Sequence, residues 1–186
     1  LNKIILASQS PRRKELLELL DLDFIVAKSE VDEILDETLK VHEMAMDLAT
    51  QKAKDVAKFF NDSIVLGFDT IVVYQEHILG KPKNHEDARE MLKLLSGNKH
   101  QVITGASIYY HGDVEEFYAS TDVVFYDITN EEIEAYIKSN EHLDKAGAYG
   151  IQGKAAKFVK EIDGDFYNVM GLPVSLLYQA LKKYEE

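Results

Sequence analysis

Residues 3–7, Lys-Ile-Ile-Leu-Ala, form a short apolar run that stops at Ser8-Gln9-Ser10 and is followed at once by Pro11 and a helical pattern. The run reads as a buried strand, and Ser10-Pro11 reads as an N-cap with proline at the first helical position. Leu16, Leu17 and Leu20 then recur at helical spacing, so the helix is expected to end near Asp21. A strand turning directly into an amphipathic helix is the opening of an α/β fold. Later segments fit the same class. Val41 to Phe60 repeats apolar residues at three- and four-residue steps, and 63–74 reads as a strand. A helix is predicted over 86–95. Two β-rich stretches, 100–110 and 117–126, flank His-Gly-Asp-Val as a hairpin turn. A helix near 130–139, a glycine-rich loop at 146–153, a strand at 156–162 and a final helix from Pro173 complete the chain. The hairpin in the middle favours a mixed sheet flanked by helices over a purely parallel one.

At 186 residues, 46% of them hydrophobic and 29% charged, the chain suits one folded domain over 1–186. The net charge of −12 repels duplex nucleic acid on average, which makes any local cluster of cations informative. No run has the length of a membrane span and the N-terminus has no signal-peptide pattern, so a cytoplasmic protein without a membrane partner is expected. There is no cysteine and the six histidines are scattered, so a metal here would need oxygen ligands.

Three groups of residues carry possible chemistry. Arg12, Arg13 and Lys14 open the first helix, where free N–H groups and the helix dipole favour an anion. Three cations at that end are unfavourable unless an anion offsets them, although a solvated basic turn is the plain alternative. Asp69 interrupts an apolar strand, and a carboxylate there calls for a metal or an ion pair with a lysine or arginine. Glu30, Asp32 and Glu33 are its candidate companions, since magnesium takes few carboxylates plus phosphate oxygens. Lys52 on a helix and Lys81 in a turn after the hairpin partner of the Asp69 strand can neutralise phosphate, or can be merely solvated. The loop 147–154 is not a P-loop: its first glycine is misplaced and Ala155 stands where Ser or Thr is required. Gln152 within it reads as a buried amide suited to base recognition.

Leu6-Ala7-Ser8-Gln9-Ser10-Pro11-Arg12-Arg13, Glu30-Val31-Asp32-Glu33, Gly67-Phe68-Asp69-Thr70, Gly80-Lys81-Pro82, Ser96-Gly97, Asp144 to Gly153 and Asn168 to Pro173 resemble, in order and at compatible spacing, the signatures of the Maf family of nucleotide pyrophosphatases. Phe68 departs from the alanine or serine common there. The resemblance implies an inosine-triphosphatase-like α/β fold with two lobes around a cleft, a homodimer, and a divalent cation, Mg²⁺ or Mn²⁺. It implies hydrolysis of nucleoside triphosphates to the monophosphate and pyrophosphate. By position it implies Asp69 as general base, Glu33 with Asp69 as metal and catalytic carboxylates, and Lys81 as a catalytic cation. Ser8, Arg13 and Lys52 would face the triphosphate. Arg12, Thr70 and Gln152 match the positions that separate substrate classes, in a combination similar to the dTTP and UTP branch. The family is also associated with inhibition of septum formation, so a regulatory binding protein is the alternative from another class.

Overall fold

The computed structural model describes residues 3–184; the ends of the expected 1–186 domain, Leu1 included, lie outside the described residues. Strand β1 (Lys3–Leu6) is followed by α1 (Pro11–Glu18), β2 (Phe24–Val26), α2 (Val41–Ala57), β3 (Ser63–Tyr74), β4 (His77–Leu79) and α3 (His85–Leu95). The order continues with β5 (Lys99–Tyr110), β6 (Asp113–Phe125), α4 (Asn130–Ile137), β7 (Val159–Asp163), α5 (Phe166–Met170) and α6 (Val174–Leu181). The strands form one sheet in the order β2-β1-β3-β5-β6-β7, with β4 paired to β3. β1 runs parallel to both β2 and β3, whereas β3 and β4 are antiparallel, as are β6 and β7. The sheet is therefore mixed, as the hairpin in the sequence requires.

The elements follow the sequence pattern with small changes at their ends. Ser10 caps α1, its Oγ accepting the Arg13 N–H, and Pro11 takes the first helical position. The helix stops at Glu18 rather than Asp21 because Leu19, Leu20 and Asp21 each donate to the carbonyl three residues back, tightening the last turn. The same tightening at Phe59 and Phe60 closes α2 at Ala57. Only His111 and Gly112 separate β5 from β6, so β5 ends at Tyr110 as the sequence pattern indicates, while β6 begins four residues nearer the turn than expected. The periodicity gave no sign of β2, three residues long and half exposed, or of the short α5.

The chain divides into two compact units. One holds the chain up to Thr70, Thr104–Ala119 and the chain from Gly171 on; the other holds Ile71–Ile103 and Ser120–Met170. In the first, Ile5 and Ala7 pack with Val65 of β3 and with Ala53, Val56 and Ala57 of α2. Helix α2 comes down to backbone contact at two glycines. A Cβ on Gly67 would lie 2.1 Å from the Ala49 carbonyl oxygen, and one on Gly105 would lie 2.2 Å from the Ala45 carbonyl carbon. In the second unit, α3 and α4 are joined by Arg89, whose guanidinium donates to both oxygens of Glu134. Thr129 and Glu132 form the capping box that starts α4.

The glycine contacts yield a stability prediction. Gly105→Ala must push α2 away from β5 and should cost about 1–3 kcal/mol or more, as overpacking does. For a chain of this size that lowers the melting temperature by roughly 2–12 °C. Gly80→Ala, where nothing lies within 4 Å of the new methyl, should change little. Equal thermal denaturation of both variants would contradict the close approach.

Candidate active site

The polar interruption of β3 lies where that strand changes partners. Pairing with β1 ends at Leu66 and pairing with β4 begins at Val72, so Asp69 and Thr70 fall between, half-buried where the strand residues on both sides are buried. Gly67 and Asp69 share one face of β3, and Ala49 and Lys52 share one face of α2. The contact of Ala49 on Gly67 therefore carries Lys52 over Asp69.

Lys52 Nζ donates to Asp69 Oδ1 at 2.6 Å, and the two side chains are each only 16% exposed. The same ammonium is 3.3 Å from Glu33 Oε1, whose side chain is 42% exposed. The ion pair weighed for Asp69 and the constellation of candidate residues are thus one arrangement: its partner is itself a candidate. Glu30 pairs instead with Lys28 at 3.1 Å. Among the described residues no three carboxylates or histidines cluster as a metal site.

Arg13 forms a second fixed cation in this unit. Its Nε donates to the Gly171 carbonyl at 2.8 Å and one terminal nitrogen donates to Thr70 Oγ1 at 3.0 Å. Thr70 is bonded in turn to the hydroxyl of buried Thr104 at 2.9 Å. Gly171 has φ +114, and a Cβ there would sit 3.4 Å from Arg13 Nε, so glycine keeps this carbonyl open to the guanidinium. Burial lowers the pKa of Arg13 from its ordinary value, Asp69 opposes that shift, neighbouring Arg12 reinforces it, and Glu33 opposes it. These charges therefore feel one another. Two of the five N–H donors of Arg13 are engaged, which leaves three for a ligand. Arg12 is half-buried without a hydrogen-bond or ion-pair partner among the described residues. Buried Ser8 accepts the Ser10 N–H at 3.1 Å, shaping the turn before α1.

Sequence reasoning missed Thr104 and the Gly171 carbonyl as supports of Arg13. A polar residue inside the apolar run 102–108 was the available signal for the first; a backbone acceptor leaves none beyond the glycine itself.

Lys81 and Gln152 belong to the other unit. Lys81 is exposed just after β4, and the preceding Gly80 carbonyl accepts the Gly147 N–H at 3.1 Å, which ties this turn to the glycine-rich loop. Gln152 is exposed, not buried as its surroundings in the sequence indicated. Ile151 and Tyr149 take the inward positions of that loop. Tyr149 anchors it through a 2.7 Å hydrogen bond between its hydroxyl and His100 Nε2, with His100 edge-on to Phe125.

This mixed sheet flanked by helices has a counterpart among solved structures: the Ham1 protein of Staphylococcus aureus matches over 99% of this chain and all of that one, with TM-score 0.54. At 17% identity that match defines the fold class alone. The family follows from the sequence match. Residues 3–184 fit the family model described as Maf-like protein, through both compact units, and the chain belongs to that family. It is 53% identical to the dTTP/UTP pyrophosphatase of Bacillus cereus strain AH187 over 184 residues, covering 99% of this chain and 96% of that protein. The relative of the same name from strain G9842 is 51% identical, covering all of this chain and 97% of that one. The resemblance read from the motifs is borne out.

His100 yields a pH prediction. Burial pushes its pKa from 6.5 down to about 4, against the pull of Asp122. Between these values the unfolded chain binds a proton that the folded chain does not, so this stability is complete above pH 6.5 and is lost as pH falls towards 4. Urea denaturation at pH 7 and pH 4.5 should show a smaller loss of stability for His100→Gln than for the parent. An equal loss in both would contradict the buried neutral imidazole.

Proposed function

We propose that this chain hydrolyses dTTP and UTP to the monophosphate and pyrophosphate. The observation that carries the reading is Lys52 shared between Asp69 and Glu33, beside a fixed Arg13, in a chain about 53% identical over almost its full length to proteins of that name. We take residues 1–186 as one functional domain. The homodimer and the cytoplasmic setting implied by the resemblance stay with this proposal, as does the absence of a nucleic-acid partner. No described helix is long and apolar enough to cross a membrane.

The donor set suits a divalent cation. Magnesium is held by one or two carboxylates, with phosphate oxygens and water completing its shell, and Asp69 and Glu33 supply two carboxylates within reach of one ammonium. These residues would hold Mg²⁺ or Mn²⁺, which supplies charge neutralisation and polarisation of the phosphoryl oxygens. The chain's own groups do the rest. Lys52 turns from Asp69 towards the incoming phosphate, and Asp69 then accepts the proton of the attacking water. The water oxygen bonds to the α-phosphorus as the bond to the bridging oxygen breaks, and the electron pair leaves with pyrophosphate. Arg13 uses its three remaining N–H groups on the phosphates, with Ser8 at the same turn. Lys81 is the further cation proposed for the developing charge.

Arg12, Thr70 and Gln152 are the proposed determinants of the base. Exposed Gln152 has its amide donor and acceptor available for the N3–H and a carbonyl of uracil or thymine. Thr70 acts through the guanidinium it holds. The shared cation and carboxylates favour hydrolysis over a purely regulatory role in septum formation, which requires neither.

The test is Asp69→Asn, nearly isosteric but without the base. It should remain folded and lose about 10²- to 10⁴-fold in turnover. The assay should resolve pyrophosphate from orthophosphate on UTP, dTTP, CTP and GTP, with magnesium and in excess EDTA. Pyrophosphate from UTP and dTTP, dependent on magnesium, is expected. Near-normal turnover in the folded variant, or preference of the parent for GTP, would contradict the assignment.

A further inference from the structure

Glu33 lies on a segment with no regular secondary structure, between β2 and α2. Apolar burial does not hold that segment: Ile34 is 74% exposed, Leu35 is 48% exposed, and Val31 is only half-buried. Strand pairing does not hold it either, since β2 ends at Val26. What places Glu33 beside Lys52 is a pair of polar clamps from α2.

Gln51, the residue before Lys52, grips the Ile34 backbone at both its N–H and its carbonyl. Its Oε1 accepts the Ile34 N–H at 2.9 Å and its Nε2 donates to the Ile34 carbonyl at 2.8 Å. The second hydrogen of Nε2 goes to Asp47 Oδ2 at 2.7 Å, one helical turn back, so the amide has a single satisfied orientation. One turn further along α2, Asp55 Oδ2 accepts the Glu30 N–H at 2.9 Å and the Ser29 hydroxyl at 3.0 Å. Ser29 Oγ in turn accepts the Val31 N–H at 3.3 Å. The clamps close on Ser29–Glu30 and on Ile34, on either side of Glu33, and both rise from the helix that carries Lys52.

We infer that Gln51 and Asp55 are positioning residues, which hold the Glu33 carboxylate at Lys52 and Asp69 by fixing the backbone on both sides of it. The inference rests on the reading of Glu33 as a working carboxylate of the proposed hydrolase. Neither residue touches substrate or cation; each acts through Glu33. Gln51 is needed for its paired donor and acceptor, which no apolar side chain of the same size reproduces, and Asp55 for a carboxylate oxygen that accepts two bonds at once.

The experiment compares Gln51→Leu, Asp55→Ala and the control Lys54→Ala, an exposed position on the same helix, by hydrogen exchange and steady-state kinetics on UTP. In the first two, the amides of 30–35 should exchange faster while those inside α2 keep their protection, a readout that needs no turnover. Outer-shell partners are worth about 10- to 100-fold, so kcat should fall by that factor, with more magnesium needed for half-activation and KM for UTP changing far less. Lys54→Ala should alter none of these. In a Glu33→Gln background the further loss from Gln51→Leu should vanish, because the two act as one unit. Unchanged exchange at 30–35, unchanged kcat, or full additivity with a crippled Glu33→Gln would overturn the clamp and leave the function standing. Wild-type turnover in Glu33→Gln would instead remove the reading of Glu33, and the proposal with it.

Discussion

Lys52 meets Asp69 at 2.6 Å and Glu33 at 3.3 Å, and most of what surrounds it serves to make that meeting possible. A charge pair only 16% exposed on either side is costly to desolvate and adds little stability of its own. The fold offsets that cost elsewhere, through the layer of Ile5, Ala7 and Val65 under Ala53, Val56 and Ala57. The geometry comes from Gly67 and Gly105. Without side chains they let the backbone of α2 touch the sheet, and from that contact Lys52 reaches the strand residue two places beyond Gly67. Any bulk at either glycine lifts the helix and with it the ammonium.

Around this centre the chain fixes its charged groups by different means. Arg13 is held by one backbone carbonyl and one hydroxyl, so its guanidinium keeps a set orientation with donors to spare. Glu33 is held through its own backbone by side chains of α2. Arg12, half-buried and next to Arg13 in the sequence, carries no such restraint among the described residues. An overall charge of −12 makes the run Arg12-Arg13-Lys14 a local exception.

Much of this was legible in the sequence, for identifiable reasons. Ser10-Pro11 marks a helix start by local sterics, and α1 begins there. Asp69 stood out because a carboxylate in an apolar strand demands a partner, and the boundaries of β3 are those its β-branched residues indicate. The identity of the partner was not legible, since it depends on a helix seventeen residues earlier in the chain packing at one particular height. The contact of Arg13 with Gly171 spans 158 residues and ends on a backbone oxygen, which no side-chain pattern encodes. The apolar surroundings of Gln152 suggest a buried amide, but Gly147 to Tyr149 and Ile151 take the buried positions of the loop and Gln152 is exposed. The seven motifs in order carried the family more securely than any one of them carried a role.

On the proposed function, the Lys52–Asp69 pair exists for chemistry and not for the fold. Its most direct test is the stability and turnover of one double variant, Lys52→Met with Asp69→Asn, which removes both charges and leaves no buried charge alone. Replacing a buried pair by uncharged groups of similar size is often neutral or stabilising by about 1–4 kcal/mol. Urea denaturation should therefore find the double variant at least as stable as the parent, while pyrophosphate release from UTP is lost. A variant that unfolds far more easily than the parent, or one that keeps its turnover, would contradict the account.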